Sequence, residues 1–374
     1  MNAVTTVLLA PDKFKGSLTA LEVAEALRRG LLAARSDLVV RVAPVADGGD
    51  GTLDAALAAG YTRVPVTASG PTGEPVETAY ACHGDTAVVE MADVSGLSRL
   101  PGGVAAPLDA TSRGTGEVMA QAIAAGCRRL VVGIGGSACT DGGAGMVQAL
   151  GARLLDEAGR ELPPGGASLA RLARVDLGAM VPLDGVEIVV ACDVDNPLTG
   201  PRGAAAVYGP QKGASPDDVA TLDTALAHWA DVVSSATGRD LRESPGAGAA
   251  GGVGYAAIAV LGARLQPGID LVLDLVSFDE LVRGIDWVVV GEGSLDEQTL
   301  HGKAPVGVAA RARRENARVL AVSGRCSVRP DQLASVGIEE AFALTDDEPD
   351  PDVCMREAPR LLERLGERLA ARIA

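Results

Sequence analysis

Short apolar runs alternate with stretches of helical periodicity along most of the chain. Continuous Val, Ile and Leu runs are typical of strands that a parallel sheet buries on both faces, and the helical stretch that follows most of them is typical of βαβ units. The pattern therefore predicts an α/β fold. The predicted strands cover residues 4–10, 38–45, 130–134, 186–191, 287–290, 319–322 and 341–344.

The first and last helices have the clearest sequence signals. Thr19 and Glu22 match a capping box, which predicts that a helix begins there. The last helix is predicted over residues 353–373, and we expect it to pack on the domain that contains the first strand. The predicted apolar faces are Leu21, Ala24, Leu27 and Leu31 in the first helix, and Leu361, Leu362, Leu365 and Leu369 in the last.

Residues 61–68, 76–82 and 87–91 form a different pattern, because these runs are short and are joined by Gly, Pro and Asp turns. Such spacing predicts antiparallel strands. A parallel sheet that is interrupted by hairpins indicates a second α/β domain inserted into the first. We expect a discontinuous domain of residues 1–60 and 281–374 and an inserted mixed α/β domain of residues 61–280, with no internal repeat.

Composition narrows the possible partners. The length of 374 residues fits two domains, and with only 2% aromatic residues the core must be built from Ala, Val and Leu. Asp and Glu number 49 against 33 Lys and Arg, which gives a net charge of −16. A chain this acidic is a poor candidate for binding nucleic acid or an anionic membrane, so we expect neither partner.

The cysteines and histidines also limit the chemistry. The six cysteines include no C-x-x-C pair, so we expect reduced thiols in a cytoplasmic protein. We see no basic leader before the first apolar run, and no apolar run reaches the ~18 residues of a membrane span. With only three histidines in the chain, we expect catalysis to depend on carboxylates and lysines.

Five of the predicted strands end in glycine-rich loops that carry Asp or Lys. In open α/β sheets ligands bind beyond the carboxyl ends of the strands, and glycine lets backbone N–H groups approach an anion at the start of the next helix. Any one loop is more simply a tight turn with a helix cap, but five together indicate a binding site. The loops cover residues 11–17, 46–52, 135–143, 192–197 and 291–303.

The third loop also fits a dinucleotide motif. Residues 133–138 match G-x-G-x-x-A after a strand, and Asp156 lies about twenty residues further on, as in NAD enzymes. A helix that begins inside the motif would contain Gly142 and Gly143 in its first turns, at a cost of about 2 kcal/mol. We therefore expect an anion-binding loop with a helix that begins near Ala144, and an NAD-linked hydroxy-acid dehydrogenase remains the alternative.

Other signatures are missing from the sequence: it has no Walker P-loop, no zinc-ligand spacing and no G-x-S-x-G motif. The remaining carboxylates, lysines and glycine-rich loops suit Mg²⁺-assisted phosphoryl transfer, in which Asp holds the metal, Lys neutralises phosphates and an Asp orients the attacking hydroxyl. The same inventory suits a non-catalytic protein that binds a phosphorylated metabolite, so both remain open on the residues alone.

Seven segments in chain order resemble the type I glycerate kinase family of bacteria. The resemblance extends from Ala10 to about Val308 and implies two α/β domains, one of them Rossmann-like, with the site in the cleft between them. It implies ATP- and Mg²⁺-dependent phosphorylation of D-glycerate to 2-phospho-D-glycerate, in organic-acid, glyoxylate-type carbon metabolism, by a monomer or a homodimer. The segments are residues 10–17, 46–52, 135–143, 191–198, 209–213, 245–252 and 291–303.

Within this framework we assign roles as hypotheses. The catalytic candidates are Asp193, Lys15, Asp47 and Asp296, and the metal candidates are Asp193 and Asp195. For Asp195, capping of the turn at Asn196 is an equal alternative. The substrate- and phosphate-binding candidates are Lys13, Lys15, Gly48, Gly49, Gly135, Gly136, Ser137, Asp141, Gly142, Gly143, Lys212, Gly291, Gly293 and Lys303.

Three positions depart from the pattern of the family. Cys139 and Thr140 stand where the family often has Thr-Asn, Arg113 stands where it often has an aromatic residue, and Ser294 stands where it often has Arg. Each departure concerns a single contact to phosphate or substrate.

Overall fold

A computed structural model describes residues 4–373, except for the side chain of His301. The strands in the described part of the chain are β1 Thr6–Pro11, β2 Val39–Val42, β3 Thr62–Ser69, β4 Pro75–His83, β5 Thr86–Glu90, β6 Arg129–Gly133, β7 Arg153–Leu155, β8 Arg174–Asp176, β9 Glu187–Ala191, β10 Arg264–Gln266, β11 Trp287–Leu295, β12 Arg318–Cys326 and β13 Glu340–Ala343.

The α-helices lie between these strands, as the alternating pattern predicts. They are α1 Ala20–Ala34, α2 Thr52–Ala58, α3 Ala92–Ser95, α4 Arg113–Ala124, α5 Ala144–Ala149, α6 Ala204–Tyr208, α7 Pro216–Thr237, α8 Ala249–Ala259, α9 Gly268–Leu275, α10 Phe278–Leu281, α11 Ala304–Arg314, α12 Pro330–Ser335, α13 Pro351–Arg356 and α14 Ala358–Arg372. Within residues 4–373, no helix has both the length and the apolarity to cross a membrane.

The first compact unit contains the chain up to Asp47, residues 54–60 and the chain from Ile269 onward. Its sheet has five parallel strands in the order β13-β12-β11-β1-β2. Helices α1 and α14 cover one face, where Leu27 and Leu365 pack with Leu9, and α9 and α11 cover the other, where Val308 packs with Leu8. Helices on both faces of a parallel sheet confirm the predicted α/β class.

The second unit contains residues 48–53 and 61–268. Its six-stranded sheet has the order β10-β9-β6-β5-β4-β3, and β7 and β8 form a separate antiparallel pair. Strands β3, β4 and β5 pair antiparallel, as predicted, and β5 also pairs in parallel with β6. The sheet is therefore mixed, and the large side chains of Trp229, Tyr255 and Met119 fill the core of this unit.

The two units differ from the expected bounds at two places. Residues 48–53 lie in the second unit, where the buried carboxylate of Glu90 accepts hydrogen bonds from the amides of Gly51 and Leu53. Residues 269–280 lie in the first unit, because Ile269 and Val272 are buried in its core.

The two helix predictions are confirmed with two corrections. Thr19 caps α1 with the reciprocal bond from Glu22, and the apolar face of α14 is buried in the first unit. Leu21, however, is 48% exposed, because it lies in the first turn on the side that faces solvent. The predicted last helix is two helices, since α13 ends at Arg356 and Pro359 lies in the first turn of α14, where its missing N–H costs nothing.

Three strands were not predicted. β7, β8 and β10 are three residues long, too short for a periodic signal. Strands β11 and β12, in contrast, are longer than predicted, because they pair with each other through Leu295 and Cys326.

Candidate active site

Polar side chains gather at the carboxyl edge of the first sheet, where β1 ends at Pro11. The amide of Asp12 donates to the carbonyl of Gly291 at 2.8 Å, and the half-buried Asp12 carboxylate accepts from the amide of Lys13 at 2.6 Å. Burial and the neighbouring charges of Asp47 and Glu292 raise the pKa of Asp12 to about 8, against the opposing effect of Lys13. Asp12 is therefore a carboxyl group whose ionisation near neutral pH is costly without a nearby cation.

Strand β11 brings a second carboxylate to this edge. Thr299 donates its hydroxyl hydrogen to Glu292, and the Lys303 ammonium lies 3.6 Å from Glu292 Oε2 and 3.9 Å from Asp296 Oδ1. Burial raises the pKa of Glu292, although the Thr299 and Lys303 contacts oppose the shift. We call the set Asp12, Lys13, Asp47, Glu292 and Lys303 the charged edge.

Asp296, a predicted catalytic residue, lies where it organises the turn before α11. Its Oδ1 accepts from the amide of Gln298 at 2.9 Å, and its own amide donates to the hydroxyl of Thr299 at 3.0 Å. These bonds place Thr299 against Glu292. Asp296 thus supports the charged edge through its neighbours.

The two candidate lysines after β1 are separated by a turn of the chain at Phe14. Phe14 is buried, and its backbone bonds to Leu18 and Ser17 close a tight turn. Lys13 is half-buried before the turn, whereas Lys15 is exposed within it. The two lysines therefore lie in different surroundings rather than on one face of a strand.

The glycines of β11 serve close packing. A Cβ atom at Gly291 would lie 2.6 Å from the side chain of Val322, and one at Gly293 would lie 3.3 Å from the amide nitrogen of Lys15. Any larger residue would displace β12 or the turn after β1. Close packing therefore explains the glycines at both positions without a phosphate ligand.

In the second unit, the latter half of the loop 135–143 is held by Asp141, which is 1% exposed. Its carboxylate accepts from the Ser112 amide at 2.8 Å, the Ser112 hydroxyl at 2.9 Å and the Thr111 hydroxyl at 3.2 Å. It also accepts from the amides of Gly143 and Gly145. A carboxylate with this many internal donors fixes the start of α4 against the start of α5 and is not available as a substrate ligand.

Gly142 and Gly143 are part of the same internal packing. Both have positive φ, and a Cβ at Gly142 would lie 2.6 Å from the ring of Trp229. The Gly142 amide donates to the carbonyl of Gly251, and Trp229 Nε1 donates to the carbonyl of Gly142. The predicted anion-binding amides at 142 and 143 are thus used within the protein.

The first half of the loop is different, because a lysine approaches it. Lys212 is 2% exposed, and its ammonium donates to Ser137 Oγ at 2.9 Å and to the carbonyl of Cys139 at 2.5 Å. Burial lowers the pKa of Lys212. Among the described residues no carboxylate lies within ion-pair distance of Lys212, so an anion next to Ser137 would meet a buried positive charge.

Glycines also allow the loop after β2 to approach its neighbours. A Cβ at Gly48 would lie 2.6 Å from that of Ala191, and one at Gly135 would lie 2.7 Å from the Cα of Gly49. A Cβ at Gly136 would lie 3.2 Å from that of Ala92. These segments touch through backbone, which is why glycine recurs there.

The expectation that helix N-termini bind the ligand is wrong for two of the loops. Glu90, 6% exposed, accepts from the amides of Gly51 and Leu53 at the start of α2, and Asp141 does the same at the start of α5. The protein's own carboxylates occupy these positions. Glu90 lies 37 residues from Leu53 in sequence, so no local motif identifies it.

The two aspartates proposed as a metal pair have separate partners. Asp193 Oδ1 accepts from the amide of Gly268 at 2.9 Å, whereas Asp195 is 77% exposed and lies 3.2 Å from the guanidinium of Arg202. Both oxygens of the Asp195 carboxylate accept from Arg202 rather than from a backbone amide of the turn, and the side chain of Asn196 bonds to Arg202 and Tyr208. No cluster of three or more His, Cys, Asp or Glu side chains suited to a metal ion is present in residues 4–373, His301 excepted.

The three positions that depart from the family pattern each have a defined environment in the structure. Arg113 pairs with Glu117 on the surface of α4 at 2.9 Å, and the buried Thr140 Oγ1 has no hydrogen-bond partner among the described residues. Ser294 Oγ accepts from Arg325 Nε at 2.9 Å across the β11–β12 pair.

The dinucleotide motif does not open a helix. Helix α5 begins at Ala144, as expected, and Asp156 binds Arg160 and nearby amides within a turn. The Asp156 carboxylate therefore does not occupy the position of a ribose ligand.

Lysine usage is the signal that most simply marks these regions. The chain has 29 arginines but only four lysines: Lys13, Lys15, Lys212 and Lys303. All four lie in or beside the glycine-rich loops. Arginine and lysine are not interchangeable, since lysine is a compact point charge, so these four residues supply a kind of charge that the arginines elsewhere in the chain do not.

An α/β fold with carboxylates, lysines and glycine-rich loops at its strand ends suits an enzyme of the phosphotransferase type. Residues 7–374 match the model of the glycerate kinase family. The chain belongs to the glycerate kinase family and is a glycerate kinase by class.

Similar proteins cover almost the whole chain. A glycerate kinase of Bacillus subtilis is 45% identical over 98% of this chain and 97% of its own length. A glycerate 2-kinase of Escherichia coli is 42% identical over 98% of both chains. A crystal structure from Salmonella typhimurium LT2 described as glycerate kinase 2 superposes with a TM-score of 0.86 at 39% identity, over 99% of this chain and 98% of that one.

Proposed function

We propose that the protein transfers the γ-phosphoryl group of ATP to the 2-hydroxyl of D-glycerate and releases ADP and 2-phospho-D-glycerate. The P–O bond to ADP breaks, a P–O bond to the glycerate oxygen forms, and the hydroxyl proton leaves. The observation that carries the proposal is the charged edge, where two carboxyl groups with raised pKa face lysines in a glycerate kinase fold. The 2-position is favoured because a relative of 42% identity is a glycerate 2-kinase.

The charged edge fits Mg²⁺. Mg²⁺ prefers carboxylate oxygens and is bound through one or two of them together with substrate phosphates, so it needs no complete protein cage. Asp12 and Asp47 supply such oxygens. The raised pKa of Asp12 means that ionising this carboxyl group costs free energy, and a bound divalent cation would offset that cost. When bound there, Mg²⁺ would neutralise charge on the phosphates.

The charged residues of the chain have separate roles in this proposal. Lys303 and Lys13 at the charged edge, and the exposed Lys15, supply positive charge for oxyanions. Lys212 with Ser137 and the backbone at Gly135 and Gly136 supply a second place for phosphate in the other unit. Asp193 is the candidate that orients the glycerate hydroxyl and accepts its proton; Asp195, which is paired with Arg202, is left out.

We also propose a cytoplasmic location and a place in organic-acid carbon metabolism, where a reaction that reduces a three-carbon oxo acid would supply D-glycerate. All six cysteines are free thiols, in keeping with a reducing compartment. As a partner we propose only the small-molecule substrate.

The test is the identity of the product. The protein is incubated with ATP, Mg²⁺ and D-glycerate, ADP release is followed, and the phosphorylated product is identified by phosphorus NMR. The proposal predicts Mg²⁺-dependent ADP release and 2-phosphoglycerate. A 3-phosphoglycerate signal would overturn the regiochemistry, and glycerate phosphorylation that ignores ATP or Mg²⁺ would overturn the cofactors.

A further inference from the structure

Strands β11 and β12 extend beyond their neighbours at the carboxyl edge of the first sheet. The pairing of β1 with β11 ends at Pro11 and Gly291, and the pairing of β12 with β13 ends at Ser323 and Ala343. The pair β11–β12 continues to Leu295 and Cys326. This extension places a two-stranded ribbon beyond the end of the sheet.

One face of the ribbon continues the charged edge. Glu292 is the register partner of Ser323, and Ser294 is the partner of Arg325. Because side chains alternate along a strand, these four residues lie on the same face. Lys303 and Thr299 contact Glu292, so Arg325 lies on the face that carries the candidate chemistry.

Arg325 is exposed and oriented by a neutral neighbour. Its Nε donates to Ser294 Oγ at 2.9 Å. Among the described residues no carboxylate lies within ion-pair distance of Arg325, whereas Arg318 on the same strand pairs with Glu339 at 2.7 Å. The Nη edge of the Arg325 guanidinium thus faces no acidic side chain, in a chain with a net charge of −16.

A second feature lies on the same face. Ser323 is completely buried, and its Oγ has no hydrogen-bond partner among the described residues. A buried hydroxyl of this kind is uncommon in a folded protein, because an unpaired polar group costs free energy. Its register position beside Glu292 places this unpaired hydroxyl next to the charged residues of the same face.

We infer that Arg325 binds the carboxylate of glycerate, with Ser294 as the residue that positions its guanidinium. The inference rests on the proposed function. Nε is used by Ser294, and the two Nη groups present a planar pair of donors that matches the two oxygens of a carboxylate. A lysine at this position would carry the positive charge but would lack the planar pair of donors.

The inference is tested by measuring the affinity for D-glycerate and the steady-state constants for both substrates in R325A, R325K and S294A. We expect R325A to raise Kd and KM for D-glycerate about 10- to 100-fold, the scale of hydrogen bonds to a charged group, with KM for ATP within about twofold. R325K should recover only part of the loss, and S294A should show a smaller loss than R325A. R325A should also lose the preference for D-glycerate over glycerol, which has no carboxylate.

R329A is the matched control, since Arg329 is also exposed and pairs with Asp331; it should leave all constants unchanged. Unchanged glycerate affinity in R325A, or a rise in KM for ATP instead, would overturn the inference. Calorimetric binding of D-glycerate needs no turnover. A wild type that binds D-glycerate more tightly than R325A but forms no product would therefore contradict the proposed function and still support the role of Arg325.

Discussion

The charged edge of the first unit and the glycine-rich loop 135–143 of the second unit differ in how their charges are satisfied. At the charged edge, Asp12 and Glu292 keep raised pKa values because burial and neighbouring carboxylates outweigh the lysines nearby. In the loop, Asp141 is buried more deeply but receives hydrogen bonds from hydroxyls and amides around it. Burial alone therefore does not distinguish a functional carboxylate from a structural one.

This difference indicates that the two regions have different functions. Charges that the protein leaves without full compensation are available to a metal ion or substrate, whereas a saturated carboxylate only holds the backbone in place. Lys212 is the exception in the second region, since it is a buried cation whose ammonium donates to the neutral oxygens of Ser137 and Cys139, with only the more distant charge of Asp141 acting on it among the described residues.

The largest expected effect is on turnover. Asp12→Asn keeps the shape of the side chain but removes its charge, and we expect kcat to fall about 1,000-fold, as for the loss of a principal electrostatic group. Steady-state kinetics at saturating ATP, Mg²⁺ and D-glycerate measure it. Circular dichroism and thermal unfolding control for folding, and near-normal kcat in a folded variant would remove Asp12 from the machinery.

The next effect is on stability and tests the structural side of the comparison. Asp141→Ala removes the acceptor of several buried donors, and we expect the free energy of unfolding to fall by about 3 kcal/mol. Urea denaturation measures this loss. A stable variant with a selective loss of substrate affinity would instead indicate that Asp141 binds substrate.

Asp193→Asn tests the proposed proton acceptor in the second unit. We expect kcat to fall about 100-fold with little change in stability. Asp195→Asn is the matched control, because Asp195 is exposed and paired with Arg202, and its kcat should change less than about twofold. Equal losses in both variants would restore the two aspartates as a functional pair.

The charged edge also predicts a pH dependence of stability in metal-free protein. The folded-state pKa of Asp12 is about 8 against an ordinary 3.8, so the folded protein retains a proton that the unfolded chain has lost. The free energy of unfolding of the wild type, relative to that of Asp12→Asn, should therefore be highest at low pH and fall as the pH rises toward 8. For a half-buried carboxyl we expect a fall of about 2 kcal/mol. Thermal unfolding in a chelating buffer measures the difference. A difference that does not change with pH would contradict the raised pKa.

The smallest effect concerns phosphate binding in the second unit. Lys212→Met keeps most of the length of the side chain but removes a buried charge and its hydrogen bonds to Ser137 and Cys139. We expect a loss of stability of about 1 kcal/mol and a rise of about tenfold in KM for ATP. Varying ATP at saturating D-glycerate measures it. A rise in KM for D-glycerate alone would assign Lys212 to the other substrate.

The fold could be predicted from local signals, whereas much of the site could not. The capping box at Thr19 and the helix start at Ala144 depend on residues a few positions apart, and both were predicted. Glu90 accepts a hydrogen bond from Leu53, and Arg325 donates one to Ser294 on the neighbouring strand. Both pairs are more than thirty residues apart in the sequence, so no local motif predicts them.

Glycine was the ambiguous signal. Gly142 and Gly143 were predicted to bind phosphate. Neighbouring residues such as Trp229 occupy the place that a Cβ atom would need at these positions, and both backbone amides donate hydrogen bonds within the protein. A glycine needed for close packing and one needed for a ligand look the same in a sequence. The four lysines were the more specific marker, because their side chains carry the charge itself.

The different functions of the charged edge and the loop 135–143 are tested most directly by measuring kcat and KM of Asp12→Asn and Lys212→Met side by side, with both substrates varied. We expect Asp12→Asn to stay slow at saturating substrates, while Lys212→Met regains near-normal turnover once ATP is raised. The opposite result, with a kcat defect in Lys212→Met and only weakened binding in Asp12→Asn, would contradict the division of work between the charged edge and the loop.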